Sequence, residues 1–186
     1  MNTLTRIQLD AAHEAGHVVL SHHVGLLPIE SASIEFLVRD GEEEGPGVVY
    51  CETPRTDWLY RASGTPGLAA PPERYALVLA QLLAALGGVV AERMVAGRFV
   101  PLWSGGGADD AKEAMTMARL LGVPPRRRRH FVRSSAREAR RILVVRWPEV
   151  EDVARALAKH GTVPGPDLRA IIERARRRRA GPRGRR

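Results

Sequence analysis

The sequence predicts a mainly α-helical domain that carries one small β-hairpin, and three features of its 186 residues lead to that prediction. The composition is 44% hydrophobic but only 5% aromatic, which favours helices packed through small aliphatic side chains. Apolar residues recur at helical spacing over long stretches, whereas residues 31–38 and 48–53 are short runs typical of strands. The length suits one core, so we expect one domain over residues 1–179, followed by a disordered Arg-rich tail at residues 180–186.

Capping residues and breakers divide the helical part of the chain. Gly25 favours the end of the first helix, and the Gly87–Gly88 pair falls inside the second, where each glycine costs about 1 kcal/mol relative to alanine. Such a cost predicts that the first helix passes close to this pair, with a simple kink as the alternative. We expect the basic segment 126–129 to be a loop. The predicted helices cover residues 5–24, 73–96, 109–121, 134–146, 149–160 and 168–179.

The formal net charge of +8 is unevenly distributed. Residues 1–121 carry 9 basic and 15 acidic groups, whereas residues 122–186 carry 20 basic and 6 acidic groups. The single cysteine, Cys51, excludes an internal disulfide and fits a reducing compartment. The first residues are too polar for a signal peptide, and no charge-free apolar run reaches about 18 residues. These features predict a cytoplasmic protein without a membrane span.

The sequence His13-Glu14-Ala15-Gly16-His17 matches H-E-x-x-H, the zinc-peptidase motif, inside the first predicted helix. At about 100° per residue, His13 and His17 lie one turn apart on one helical face and can bind one Zn²⁺. Glu14 points to the side of that axis, where it can take a proton from a water at the metal. The motif therefore predicts a helical zinc-peptidase domain with Glu14 as its general base.

A catalytic zinc needs a third protein ligand, which this motif does not supply. A metzincin pattern would use His23, but its required glycine is Leu20, so we expect His22 and His23 to be exposed or packing residues. The candidates for the third ligand are Glu92, Asp109, Asp110, His130 and His160.

Several motifs, taken in order, resemble the peptidase domain of FtsH-type ATP-dependent zinc metalloproteases. The resemblance begins at the H-E-x-x-H sequence and covers nearly the whole chain. It includes a strand pair, an L-G-G-R-x-A-E helix, a stretch similar to T-G-A-x-N-D-L, and the C-terminal helices. The corresponding residues here are 33–36 and 47–50, 86–92, 104–110, and 139–172.

The resemblance implies that Asp110 is the third zinc ligand, because it matches the aspartate of N-D-L. Helical periodicity also favours Asp110 over Asp109, since an apolar stripe lies four, seven and eleven residues after Asp110. Asp109 replaces the family asparagine, and we expect it to lie beside the metal ligands without binding the metal, although the two adjacent carboxylates could exchange roles. Glu92 matches the first glutamate of the family helix and could orient a zinc-bound imidazole as a second-shell residue, or be a surface carboxylate. Val89 replaces the family arginine.

The resulting expectation is a stand-alone zinc endopeptidase that cleaves unfolded or flexible polypeptides without ATP, because the family's ATPase module and membrane anchor are absent from this chain. The alternative is a non-enzymatic metal-binding scaffold or adaptor, whose basic C-terminal region binds nucleic acid or a partner ATPase. Residues 174–186 contain eight arginines but no interleaved aromatic residue, which favours a solvated tail over nucleic-acid binding. A second copy of the chain and a separate ATPase stay open as partners.

Overall fold

The computed structural model describes residues 5–25, 28–35, 37–39, 42–44, 48–51, 72–97, 102–103 and 107–180. Within these residues the fold is mainly α-helical with small antiparallel sheets, which confirms the predicted fold class at that level. The helices are α1 (Arg6–Val24), α2 (Pro72–Ala85), α3 (Gly87–Ala96), α4 (Gly107–Leu120), α5 (Pro125–Val145), α6 (Trp147–His160) and α7 (Gly165–Ala180). The strands are β1 (Ile29–Ser33), β2 (Leu37–Arg39), β3 (Glu42–Glu44), β4 (Val48–Cys51) and β5 (Thr162–Pro164).

Helix α1 has well-defined capping interactions at both ends. Thr5 is its N-cap and forms a capping box with Gln8, in which the Gln8 N–H donates to Thr5 Oγ1 and the Thr5 N–H donates to Gln8 Oε1. Gly25 ends the helix in the left-handed region at φ 69°, where glycine carries no Cβ penalty. The buried residues of the helix lie between Ala11 and Ser21, so this middle part of α1 belongs to the core.

The predicted pairing of two strands is confirmed, with different bounds. β1 pairs antiparallel with β4, and Ala32 faces Val49 in the register. The expected strand 31–38 instead ends at Ser33, where the chain bends, and the Ile34 N–H donates to the Gly161 carbonyl just beyond the strand. β2, which overlaps the end of the expected strand, pairs with β3 in a separate two-stranded sheet.

β5 is an element that the sequence did not predict as a strand. It pairs antiparallel with the other side of β1, so β1 is central in a sheet of order β4-β1-β5. The Ser33 and Thr162 hydroxyls share a hydrogen bond of 2.8 Å across this pair. The C-terminal region is thereby joined to the first strand of the fold.

The prediction of a loop at residues 126–129 is wrong, because these residues lie in α5, which begins at Pro125. Proline is favoured at a first helical position because its missing N–H would have no intrahelical partner there. Arginine is a good helix former, so residues 126–129 form the first turns of this helix, and most of them are exposed.

The second predicted helix is two helices, α2 and α3, separated at Leu86. The first helix does pass close to the glycine pair, as expected. A Cβ atom built on Gly16 would collide with the Gly87 carbonyl, and one built on Gly87 would lie about as close to the Gly16 carbonyl. Backbone-to-backbone contact without side chains therefore sets the distance between α1 and α3.

One apolar stretch, Tyr75–Ala96, is long and apolar enough by length and composition alone to cross a membrane. It comprises most of α2 and all of α3, and 56% of an 18-residue window within it is buried inside the protein. Core helices of soluble proteins have the same character. Leu82, Leu86 and Val89 from this stretch are fully buried in a core cluster shared with α1.

Candidate metal centre

Two imidazoles face each other on α1. His13 Nε2 lies 3.1 Å from His17 Nε2, and the ring planes are inclined by 70°. Both side chains are mostly buried, at 13% and 15% exposure. This arrangement follows from the i, i+4 spacing on a regular helix, as the motif predicted.

Asp110 enters from the first turn of α4 and faces both rings. Its Oδ2 lies 3.2 Å from His13 Nε2, and its Oδ1 lies 3.6 Å from His17 Nε2. Oδ2 is buried and makes no well-directed hydrogen bond with a described residue. Three potential ligand atoms thus lie close together, although His13 and Asp110 are 97 positions apart in the sequence.

The break at Leu86 supplies hydrogen bonds that orient these side chains. Ala84 lies in the last turn of α2, where backbone carbonyls have no intrahelical partner, and its oxygen accepts from His17 Nδ1 at 2.8 Å. Val89 lies in the first turn of α3, and its free N–H donates to the Asp110 carboxylate. One interruption of the helix therefore provides both an acceptor for an imidazole and a donor for a carboxylate.

His13 is oriented by a side chain of α3. Its Nδ1 lies 3.4 Å from Glu92 Oε2, so the contact expected of an orienting carboxylate is present in the structure. With Nδ1 of both rings directed at an acceptor, both Nε2 atoms are presented on the side of Asp110.

Gly88 keeps the space beside the two Nε2 atoms open. A Cβ atom at this position would collide with Nε2 of both His13 and His17. The second glycine of the pair is therefore required at the site itself, while Gly87 is required by the contact between helices.

Glu14 lies next to the two histidines and is only 4% exposed. Its Oε1 is 3.9 Å from His13 Nε2, farther than Asp110 is. Burial raises the pKa of Glu14, and the charges of His17 and His13 act against this shift. A buried carboxylate with a raised pKa is well suited to accept and return a proton.

His13 and Asp110 also have shifted pKa values. Burial alone would lower the pKa of His13, but hydrogen bonding to Asp110 and Glu92 and the negative charges nearby raise it to about 10. Burial alone would raise the pKa of Asp110, but the contact with His13 and the charge of His17 lower it. Without a metal ion, the site is therefore held together as an ion pair between His13 and Asp110.

The other sequence-predicted candidates lie away from this centre. Asp109, expected as a second-shell residue, is 87% exposed and pairs with Lys112 Nζ at 2.6 Å. It projects from α4 in a different direction from Asp110, since consecutive helical residues differ by about 100°. His130, His160 and His23 are exposed, and His22 contacts Arg176 on α7.

No family model matches this chain, and no curated protein matches it significantly.

The group formed by His13, Glu14 and His17 could hold a metal ion, since their ligand atoms all lie within 4.8 Å of one another. Ligands about 2.0–2.2 Å from a tetrahedral centre lie about 3.4 Å apart. The three separations among His13, His17 and Asp110 are 3.1, 3.2 and 3.6 Å, close to that edge length. The poorly bonded Asp110 Oδ2 and the space left by Gly88 are further features that suit a bound cation.

Proposed function

We propose that the chain is a zinc metalloendopeptidase, similar to the peptidase domain of FtsH-type proteases, that cleaves unfolded or flexible polypeptides. The observation that supports this most strongly is the convergence of two imidazole nitrogens and one buried carboxylate at tetrahedral ligand spacing. His13, His17 and Asp110 would hold the metal and leave one position open for chemistry, as catalytic zinc sites do.

A zinc ion bound here would supply Lewis acidity, which lowers the pKa of water and polarises a peptide carbonyl. Glu14 takes the proton from the attacking water and delivers it to the leaving amine. Its burial supports this role, because a carboxylate with a raised pKa holds the proton long enough to transfer it. Glu92 and the Ala84 carbonyl keep the two imidazoles in position through Nδ1.

The substrate would bind as an extended segment along the outer edge of β4. β1 is paired on both sides, so its backbone groups are not available, whereas β4 ends the three-stranded sheet and contacts α1. Backbone hydrogen bonds to a strand edge give affinity with little sequence preference, and they require an extended substrate. This requirement favours flexible or unfolded chains over folded proteins.

The test compares wild type with Glu14→Gln on casein, an unfolded protein substrate. Glutamine is isosteric but cannot take a proton at neutral pH, so the variant should retain zinc and lose at least about a hundredfold in activity. Zinc content and melting temperature, measured on the same samples, show whether the site and fold are intact.

Two outcomes would contradict the proposal. Equal casein cleavage by wild type and Glu14→Gln would exclude Glu14 as the base. Full zinc occupancy without cleavage of casein or short peptides would favour the metal-binding scaffold instead.

A further inference from the structure

A groove of about 620 Å³ lies between α3 and α5, and its lining combines an apolar floor with arginines. Met94, Leu102 and Trp103 contribute to the floor, and no carboxylate is among the described residues that line it. The guanidinium of Arg129 lies 5.9 Å from the centre of the Trp103 ring, which remains partly exposed. The groove is separate from the metal centre, because Gly88 and Glu92 contact the histidines of α1 whereas Val90 and Met94 line the groove.

Four arginines of α5 form a continuous basic edge to this groove, which we call the arginine edge: Arg129, Arg133, Arg137 and Arg140. Their spacings of four, four and three residues place them on one helical face over about 16 Å. All four are exposed, and none forms an ion pair with a described residue. Consecutive members are about 4.5–6 Å apart along the axis, which is the scale of the separation between neighbouring phosphates.

Other arginines of the C-terminal half are engaged within the fold. Arg176 pairs with Glu149, Arg177 with Glu173, and Arg178 with Asp152. On α5 itself, Arg141 pairs with Glu138 at 3.0 Å. The arginine edge has no carboxylate partner among the described residues, which leaves its guanidinium groups available to an anionic ligand.

We propose that this groove binds single-stranded nucleic acid. The arginine edge supplies a row of planar, bidentate phosphate donors, and guanidinium is the side chain best suited to that contact. Trp103 supplies a ring on which a base stacks, and the apolar floor accommodates unpaired bases. Proteins that bind single strands combine a positive groove with an aromatic side chain on which bases stack. An acidic polypeptide has no bases to stack on the Trp103 ring, so the ring favours nucleic acid as the ligand.

The experiment measures fluorescence anisotropy of a labelled dodecameric oligothymidylate with the full-length, zinc-loaded chain across a range of salt concentrations. Four arginine–phosphate contacts predict a slope of log K against log salt of about −3. The variant Arg133→Ala/Arg137→Ala should reduce the magnitude of that slope by about 1.4 and weaken binding about tenfold or more. Arg141→Ala, a matched control on the same helix, should bind within about twofold of wild type, since Arg141 already has a carboxylate partner.

A second comparison separates base stacking from charge. Trp103→Leu should weaken binding of the oligothymidylate about tenfold, and it should leave binding of an abasic oligomer of the same length unchanged. Equal binding by wild type and the double arginine variant would overturn the proposal. So would a polyglutamate peptide that binds as tightly as the oligothymidylate and is insensitive to Trp103→Leu, because the groove would then be a site for acidic polypeptides. Neither readout depends on peptidase activity.

Discussion

At the residue scale, the two adjacent aspartates of α4 have very different surroundings. Asp110 is 15% exposed and faces both imidazoles, whereas Asp109 is 87% exposed and pairs with a lysine one turn away. The difference arises from the helix geometry, which turns consecutive side chains by about 100°. Only one of the two carboxylates can reach the centre from this turn.

The first prediction concerns these two residues. Asp110→Ala should lose zinc and casein cleavage together, because two histidines alone bind zinc weakly. Asp109→Asn should retain about one zinc per chain and near wild-type activity. Elemental analysis of both purified variants is the measurement, with His17→Ala as a positive control for loss of the metal. Zinc loss in Asp109→Asn alone would reverse the assignment.

The second prediction concerns pH and the metal-free protein. The pKa of His13 is raised to about 10 in the fold, above its ordinary value, so protonated His13 stabilises the folded state. This contribution is complete below about pH 6.5 and is lost as the pH rises through about 10. The melting temperature of chelator-treated protein should therefore fall between pH 7 and pH 10. His13→Asn should show a shallower decline, and an equal decline in both would exclude the ion pair as its cause.

At the element scale, the interruption between α2 and α3 organises the candidate metal centre. The last turn of α2 presents the Ala84 carbonyl and the first turn of α3 presents the Val89 N–H, and each of these groups contacts a candidate ligand. The same interruption carries Gly87 and Gly88, which allow α1 to approach. A continuous helix of alanine and leucine would offer neither hydrogen bond nor space.

The third prediction follows from that space. Gly88→Ala should lower zinc affinity at least about tenfold, since its Cβ would displace both imidazole nitrogens. Gly97→Ala is a matched control at the other end of α3: its positive φ makes alanine strained, yet no described atom lies near the added Cβ. Competition with a chromophoric zinc chelator gives both affinities. Comparable affinity in both variants would show that Gly88 has no specific role at the site.

The predictability of each feature depends on whether its cause is local in sequence. His13 and His17 could be predicted because their spacing alone places them together on a helix. Predicting Asp110 required both the family resemblance and the apolar periodicity of α4. The Ala84 carbonyl could not be predicted, because it is a backbone group that is exposed only by the break between α2 and α3. β5 was missed because its three residues show no alternation, and its partner β1 lies about 130 residues away.

At the scale of the whole molecule, a charged cluster joins the start of α6 to α7 and to the end of α1. Glu149 is 3% exposed, and its Oε1 accepts from Arg146 at 3.0 Å and from Arg176 at 3.1 Å. Arg176 also contacts His22 of α1, five residues after the last histidine of the H-E-x-x-H motif. The cluster therefore ties the C-terminal helices to the helix that carries the metal centre.

The fourth prediction is that Glu149→Ala lowers the free energy of unfolding by about 2–4 kcal/mol, because it leaves two partly buried guanidinium groups without their carboxylate. Glu138→Ala removes an exposed partner of Arg141 and should cost less than about 1 kcal/mol. Urea denaturation monitored by circular dichroism measures both. A similar small cost for both variants would mean that solvent compensates the buried cluster.

The position of β1 between β4 and β5 also affects when the protein can finish folding. All three candidate ligands leave the ribosome before Thr162 does, yet β1 cannot complete its hydrogen bonds until β5 has been synthesised. A nascent chain stalled before residue 162 should therefore contain every candidate zinc ligand while one edge of β1 is still open to other strands. Limited proteolysis of chains stalled on either side of β5 would reveal whether β1 gains protection only after that strand emerges.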